Sequence, residues 1–389
     1  MHSSIDAWPL TREQRRIRGK ARRFAQREVI PLARELDEDS RFPEELYKKM
    51  AQQRLLGITI PRDWGGAGLD TVSYALVMEE LGWGYASIAD QCGLVELCST
   101  LLSELGTPEQ KRRFLVPLLR GETKVSFALT EPDAGSDLAS ITTRARKTPE
   151  GYVLSGSKTL IHNGPICDFA LVLARSQEDS VGHRGMGIFI VESSSPGFSR
   201  GEKEHKLGQR ASQLSDLAFD DCPIPRDALL GNEGEGFRNM MIVLEKGRIG
   251  IAALAVGITR AALEESLEFA AERKQFGRPI SDFQANRWKL ADMAVDIFAA
   301  RAMIIHAARL KDKGIPAVMH ASMAKLFASQ VAVRHTRAAL DIHGAYGCFN
   351  DHRVERLFRD AKITQIYEGT SEIQHIIIAR SLLERGIAP

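Results

Sequence analysis

The chain reads as an α+β protein of several domains, with a helical first third, a strand-rich middle and a long helical last part. Three observations carry this reading. Helix-period apolar patterning fills residues 11–105; short β-rich runs punctuated by Gly, Pro and Asp begin near Gly121; and from about Gly236 long runs of Ala, Leu and Ile return at helical spacing. At 389 residues the chain exceeds a typical single core, which places function between domains and leaves length to bury a large cofactor.

Taken in order, Thr11 and Gln14 fit a capping box ahead of Ile17, Ala21, Phe24, Ala25 and Val29, which recur at three- and four-residue steps. Pro31 kinks or ends that helix. Helical patterning resumes from Pro43 to Leu56, Val72 to Leu81 and Ile88 to Leu105. The glycine-rich run Trp64-Gly65-Gly66-Ala67-Gly68 reads as a turn between helices, because no βαβ unit surrounds it. Strands are predicted at Lys124 to Leu129, Tyr152 to Leu154, Phe169 to Leu173, Gly187 to Val191 and Leu217 to Phe219. They follow one another without intervening helices, which implies an antiparallel sandwich or barrel and disfavours a doubly wound nucleotide-binding sheet. Helices over Arg248 to Glu272, Asp282 to Asp312 and Ala317 to His343 have lengths that suit a bundle. The domain boundaries that result are 1–120, 121–230 and 231–389.

The 52 basic and 50 acidic residues leave a net charge of +2, so no global field recruits nucleic acid or an anionic membrane surface, and an anionic ligand must be held locally. Cys92, Cys98, Cys167, Cys222 and Cys348 are odd in number and lack a CxxC pair, which argues for reduced thiols in a cytoplasmic setting. The start Met1-His2-Ser3-Ser4-Ile5-Asp6 lacks the features of a secretory leader, and no apolar run approaches the roughly 20 residues that cross a bilayer. The ten histidines form no HExxH or paired-ligand spacing, so no metal site is expected.

The run Ile366-Tyr367-Glu368-Gly369-Thr370-Ser371-Glu372-Ile373-Gln374 sets a carboxylate beside a helix start. Glycine lets the backbone turn after Glu368, and Thr-Ser-Glu opens an apolar helical segment whose unpaired amides suit an anion. By itself this pattern also fits an ordinary capped helix with a solvated glutamate. The segment Phe127-Ala128-Leu129-Thr130-Glu131-Pro132-Asp133-Ala134-Gly135-Ser136-Asp137 ends a strand in a turn dense in small and hydroxyl residues, able to hydrogen-bond the polar edge of a planar cofactor or to serve as a plain Pro-Asp turn.

These two segments, Arg273-Lys274-Gln275-Phe276-Gly277, and Asp341-Ile342-His343-Gly344-Ala345-Tyr346-Gly347 followed by Arg359-Asp360-Ala361, together resemble the acyl-CoA dehydrogenase family of FAD flavoproteins, in matching order over essentially the whole chain. The resemblance implies an α-helical N-terminal domain, a middle antiparallel β-barrel and a C-terminal four-helix bundle, assembled as a tetramer, a dimer of dimers. It also implies that Phe127, Leu129, Thr130, Gly135 and Ser136 contact FAD, with Ser136 also near the ligand, and that Leu160, Ile161 and His162 lie beside the flavin. Arg273, Phe276, Phe283 and Gln284 would reach the adenosine diphosphate of FAD in a neighbouring subunit, with Asp341, Gly344 and Ala345 as a further intersubunit contact. Thr370, Ser371 and Glu372 would sit at the flavin, and Glu245, Arg248, Tyr367 and Gly369 at the acyl-CoA substrate. Glu245 and Lys246 equally fit a solvated helix pair.

Glu368 matches the family's catalytic carboxylate. It would take the α-proton of the thioester as flavin N5 takes the β-hydride, and electrons would pass to an electron transfer flavoprotein. An unperturbed glutamate, with a pKa of about 4.3, is too weak a base, so burial must raise it. Some relatives carry the base on another helix, where Gly247 stands here. Leu160-Ile161-His162 replaces the usual Trp-Ile-Thr, and Asp341 and Ala345 replace a usual Gln and Gly. The first departure keeps two alternatives open: a relative with another acceptor or chemistry (oxidase, enoyl-CoA reductase or lyase-like enzyme), and a non-catalytic binding protein of the same fold. Asp90, Gln91 and Glu96 read as a solvated face, or else as polar groups beside the acyl tail.

Overall fold

Thr11 caps the first helix through its side chain, which accepts from the Gln14 amide while the Gln14 side chain accepts from the Thr11 amide. The computed structural model describes residues 9–177 and 180–385, so the leader reading of Met1–Asp6 lies outside the described residues. Helix α1 (Arg12–Phe24) buries Ile17, Ala21 and Phe24. The helical run breaks before Val29, where a π turn (Ala25–Val29) and a 3-10 turn carrying Pro31 (Ile30–Leu32) lead into α2 (Ala33–Glu38). After α3 (Glu44–Gln52), two central helices follow, α4 (Thr71–Gly84) and α5 (Ala86–Leu105). Every residue of α4 is buried, and α5 is buried nearly all round, because both are enclosed by other helices. Short α6 (Pro108–Gln110) and α7 (Val116–Leu119) close the first region.

The middle region is a sheet of β1 (Val125–Ala128), β2 (Arg144–Lys147), β3 (Gly151–His162), β4 (Phe169–Arg175), β5 (Met186–Glu192), β6 (Phe198–Arg200), β7 (Leu214–Pro225) and β8 (Leu229–Leu230). Its order is β6-β7-β3-β2-β4-β5-β8, with β1 added on β4. The pairing is mixed, not antiparallel throughout: β1 and β2 both run parallel to β4. Strand β2, Arg-Ala-Arg-Lys, exposes three of its four side chains and so gives no apolar signal. Along β4 the side chains alternate. Phe169, Leu171 and Leu173 join the helical core, whereas Ala170, Val172 and Ala174 enter a second core with Tyr152, Leu154, Phe189, Leu217 and Phe219. The β3–β7 register shifts between Lys158 and Ile161, a bulge that puts Leu160 at φ +56° and leaves it 60% exposed.

Helix α8 (Gly236–Glu272) then runs for 37 residues, about 55 Å. The hairpin β9 (Lys274–Gln275) and β10 (Arg278–Pro279) turns the chain into α9 (Gln284–Asp312), followed by α10 (Val318–His343), α11 (Arg353–Lys362) and α12 (Ser371–Arg385). Helix α10 packs on α8, α9 and α12, and α8 also packs on α4 and α5, which joins the bundle to the first region. Cys92, Cys98, Cys167 and Cys222 are buried and Cys348 is exposed, all with free thiols. Among the described residues no helix is long and apolar enough to cross a membrane.

Candidate active site

Glu368 lies in the turn between a 3-10 segment (Ile363–Gln365) and α12. Its φ of +52° is followed by +95° at Gly369, two successive left-handed residues that reverse the chain. Gly369 cannot readily be replaced, since a Cβ there would also lie 2.7 Å from Gln374 Nε2. Its carbonyl accepts from Lys325 Nζ at 2.7 Å and Gln374 Nε2 at 2.8 Å. Thr370 Oγ1 accepts from the Ile373 amide at 3.3 Å, and α12 starts at Ser371 with Glu372 in its first turn. No hydrogen bond from the Glu368 amide is found among the described residues.

The carboxylate itself points at α8. A Cβ at Gly247 would collide with Glu368 Oε2, so the glycine provides the space that the base occupies. Oε2 is buried without a hydrogen-bond partner. Burial and the nearby Asp90 push the Glu368 pKa up to about 8, against the opposing pull of Lys325 and Arg248. Arg248 is buried with Nε unpartnered, and its pKa is lowered by burial despite Glu368 and Glu245. Tyr367 is half-buried, its hydroxyl 3.4 Å from Gln209 Nε2.

Lys325 was not anticipated. It sits on α10 in line with buried Ala321, Ala328 and Ala332. A lysine in that apolar stripe was the available signal. Burial lowers its pKa to about 8 while Glu368 holds it up. Nor are Glu245 and Lys246 a solvated pair. Both are buried; Glu245 accepts from Lys311 at 3.0 Å, and Lys246 donates to the hydroxyls of Thr59 and Thr100 at 2.7 and 2.9 Å.

The solvated-face reading of Asp90, Gln91 and Glu96 fails in the same way. Gln91 and Glu96 are 1% and 0% exposed, and the Asp90 side chain keeps 13%. Glu96 accepts from the amides of Ile58 and Thr59, fixing the turn beside α5. Asp90 and Gln91 converge on His162: Asp90 Oδ2 is 3.4 Å from Nδ1 and Gln91 Nε2 is 2.7 Å from Nε2, where Ser212 Oγ also approaches at 2.8 Å. Burial lowers the His162 pKa, Asp90 acts against this, and Lys206 reinforces it.

The loop after β1 is tied to this segment. The Thr159 amide donates to the Thr130 carbonyl at 2.9 Å, and Ser126 Oγ to the His162 carbonyl at 2.8 Å. Buried Lys158 donates to the Leu129 carbonyl and to Glu131, each at 2.8 Å. Glu131 and Ala134 bridge each other, and Gly135 and Ser136 are exposed, with the Thr130 methyl 4.0 Å from where a Cβ on the glycine would lie. Phe127 packs half-buried on the helical core and Leu129 is buried. Ile161 turns into the sheet's own core, so only its backbone faces the site. An exposed Leu160 and a hydrogen-bonded loop edged with small residues fit a flat cofactor with a polar rim.

The other expected cofactor residues lie elsewhere. Arg273, Phe276, Phe283 and Gln284 follow the end of α8, where Arg273 stands over the Tyr346 ring at 5.5 Å and Phe276, 92% exposed, meets Phe283 edge-on. Asp341, Gly344 and Ala345 are exposed at the neighbouring end of α10. Arg273 is 26 residues beyond Gly247 along α8, roughly 39 Å. One protomer therefore carries these residues and Glu368 at separate ends of the bundle.

The chain matches three family descriptions: "Acyl-CoA dehydrogenase, N-terminal domain" over residues 11–122, "middle domain" over 126–222 and "C-terminal domain" over 234–383. It is 44% identical to a short-chain specific acyl-CoA dehydrogenase of Clostridium acetobutylicum, over 95% of this chain and 98% of that protein. It is 40% identical to the CarC subunit of a caffeyl-CoA reductase-Etf complex of Acetobacterium woodii, over 96% and 99%. The solved butyryl-CoA dehydrogenase of Megasphaera elsdenii superposes with a TM-score of 0.93 at 40% identity, covering 97% of this chain and 99% of that one. On these matches the chain belongs to the acyl-CoA dehydrogenase family and is an FAD-dependent oxidoreductase.

Proposed function

We propose that the protein removes the elements of hydrogen across the α and β carbons of an acyl-CoA thioester, with Glu368 as the base. The observation that carries this is the Glu368 carboxylate of a half-buried residue, its Oε2 buried and unpartnered, poised near pH 8 in the space that Gly247 leaves open. FAD, when bound, supplies the acceptor for the β-hydride. Glu368 takes the α-proton, and its uncommitted amide hydrogen-bonds the thioester oxygen, which acidifies the α carbon. Arg248, charged and beside Glu368, favours the ionised base and approaches the thioester with Tyr367 and Gly369. Glu245 lies one turn before it, held by Lys311.

On our reading Thr130, Ser136, the 160–162 segment and Thr370–Glu372 surround the flavin. The 39 Å between Arg273 and Gly247 favours an assembly of at least two subunits, by the family resemblance a tetramer, in which Arg273, Phe276, Phe283, Gln284, Asp341, Gly344 and Ala345 serve the cofactor of a neighbouring subunit. The boundaries fall at residues 120 and 230, and the free thiols favour the cytoplasm. The relative in a reductase-Etf complex supports an electron transfer flavoprotein as redox partner, and supports the reverse reaction, enoyl-CoA reduction, as a second reading. Exposed Leu160, in place of an aromatic residue, is where acceptor choice would differ. The test is anaerobic bleaching of the flavin by acyl-CoA thioesters, followed by reoxidation. Bleaching, slow recovery in air and fast recovery with the transfer flavoprotein are expected; fast recovery in air would identify an oxidase.

A further inference from the structure

We propose that Lys325 is the positioning residue of the base: from α10 its ammonium grips the Gly369 carbonyl, holds the reversed turn that aims Glu368 at Gly247, and supplies the positive charge against which the carboxylate ionises. This rests on the dehydrogenation reading above. Lys325 is 0% exposed, and its ammonium donates to the Gly369 carbonyl at 2.7 Å. No other hydrogen-bond partner takes its remaining protons among the described residues. The acceptor is the backbone oxygen of the residue directly after Glu368, within the pair of left-handed residues that turns the chain into α12.

Holding that carbonyl does not by itself require a charge. Gln374 of α12, equally buried, donates to the same oxygen at 2.8 Å and lies 3.5 Å from the Glu368 carbonyl. Taking an ammonium out of water is costly unless an anion lies near it. Two carboxylates bear on Lys325, those of Glu368 and Glu372, and Glu372 is exposed in the first turn of α12, where water screens it. Glu368, whose Oε2 is buried without a partner, is therefore the anion that the lysine serves.

The other groups around the base do not share this contact. Asp90 of α5 acts on Glu368 with the opposing sign and Arg248 of α8 with the favourable one, while Tyr74 of α4 and Tyr367 are phenols that burial keeps neutral. Arg248 makes no hydrogen bond to the turn among the described residues, and on the reading above it approaches the thioester. Lys325 is thus the cation fixed to the backbone of the base, and its place does not depend on the substrate. Without it, burial and Asp90 are less opposed, so the carboxylate ionises only at higher pH.

The test uses the FAD-loaded protein, and its first readout needs no substrate. Thermal unfolding of each parent and its Glu368→Gln derivative, from about pH 5 to about pH 10, gives the margin by which the derivative melts higher. That margin stops growing where the base is ionised in the folded chain. In the Lys325→Met background the levelling point should move up by about one pH unit. Lys325→Gln, which also drops the charge, should do the same, and Lys325→Arg should return the point toward its native place. Gln374→Leu removes the neutral donor and should leave the point where it is. The second readout is anaerobic flavin bleaching by butyryl-CoA. Lys325→Met should slow it by about tenfold or more near neutral pH and regain part of the loss in alkali, with FAD content unchanged. The dissociation constant of butyryl-CoA, measured on the Glu368→Gln derivatives, should change by less than about twofold, since the lysine acts through the base. A levelling point that neither Lys325→Met nor Lys325→Gln moves, or that Gln374→Leu moves as far, would overturn the assignment and leave Lys325 a structural residue. Bleaching of Glu368→Gln at the native rate would overturn the dehydrogenation reading instead, and the two failures differ because the melting series involves no turnover.

Discussion

Glu368 is held where a carboxylate is least comfortable, and its protonation should therefore be visible in stability. In the folded chain its pKa is raised from 4.5 to about 8. The folded state thus binds a proton that the unfolded state releases, and this contribution is complete below pH 4.5 and lost as pH rises to about 8. Glu368→Gln keeps the shape without the charge. We expect it to melt above the native protein at pH 9, by a margin of the order of 2 kcal/mol after allowance for solvent screening. The margin should shrink toward pH 5, read by thermal unfolding of the two proteins across that range. The glycine, cap and helix start around Glu368 drew attention to it in sequence, but they equally fit a solvated glutamate, and the base role rests on the resemblance of the whole run. Asp90 and Lys325, which set its charge environment with Arg248, were not legible, because they come from α5 and α10 and meet it only through the fold.

At the scale of elements, α8 works through what it omits. Gly247 admits the Glu368 carboxylate, and Gly250, three residues on, admits the Tyr74 hydroxyl of α4. Gly247→Ala should leave the helix intact, since alanine is the better helix former by about 1 kcal/mol. The added Cβ must nonetheless displace Glu368. We expect at least a tenfold loss of dehydrogenation with FAD content and helicity unchanged, measured by flavin bleaching and circular dichroism; an unaffected rate would show that the base is not positioned by this contact. The α5 face was misread for a related reason. Polar residues on a helix look solvated in one dimension, and only the enclosure of α5 by other helices and β1 shows that Gln91 and Glu96 are interior. The bulge at Leu160 is equally a tertiary outcome, fixed by the β3–β7 register shift.

For the whole molecule, the α, β, α order was readable from periodicity alone, since helical and strand segments differ in period and in glycine and proline content. The mixed pairing around β4 was not, because adjacency to a parallel partner leaves no local mark. The separation of Arg273 from Gly247 carries a prediction at this scale. The native protein should sediment near four times the 43.1 kDa chain, about 172 kDa. Arg273→Ala, at an exposed position, should fold normally yet bind FAD about 10- to 100-fold more weakly, the cost of one charged hydrogen bond. Native FAD affinity in a monomeric species would refute the shared-cofactor arrangement. The central claim, that Glu368 is the base, is tested most directly by mixing the FAD-loaded native and Glu368→Gln proteins anaerobically with the same acyl-CoA and following flavin absorbance. The account predicts equal FAD content and reduction slowed by at least about 100-fold in the variant; reduction at the native rate would contradict it.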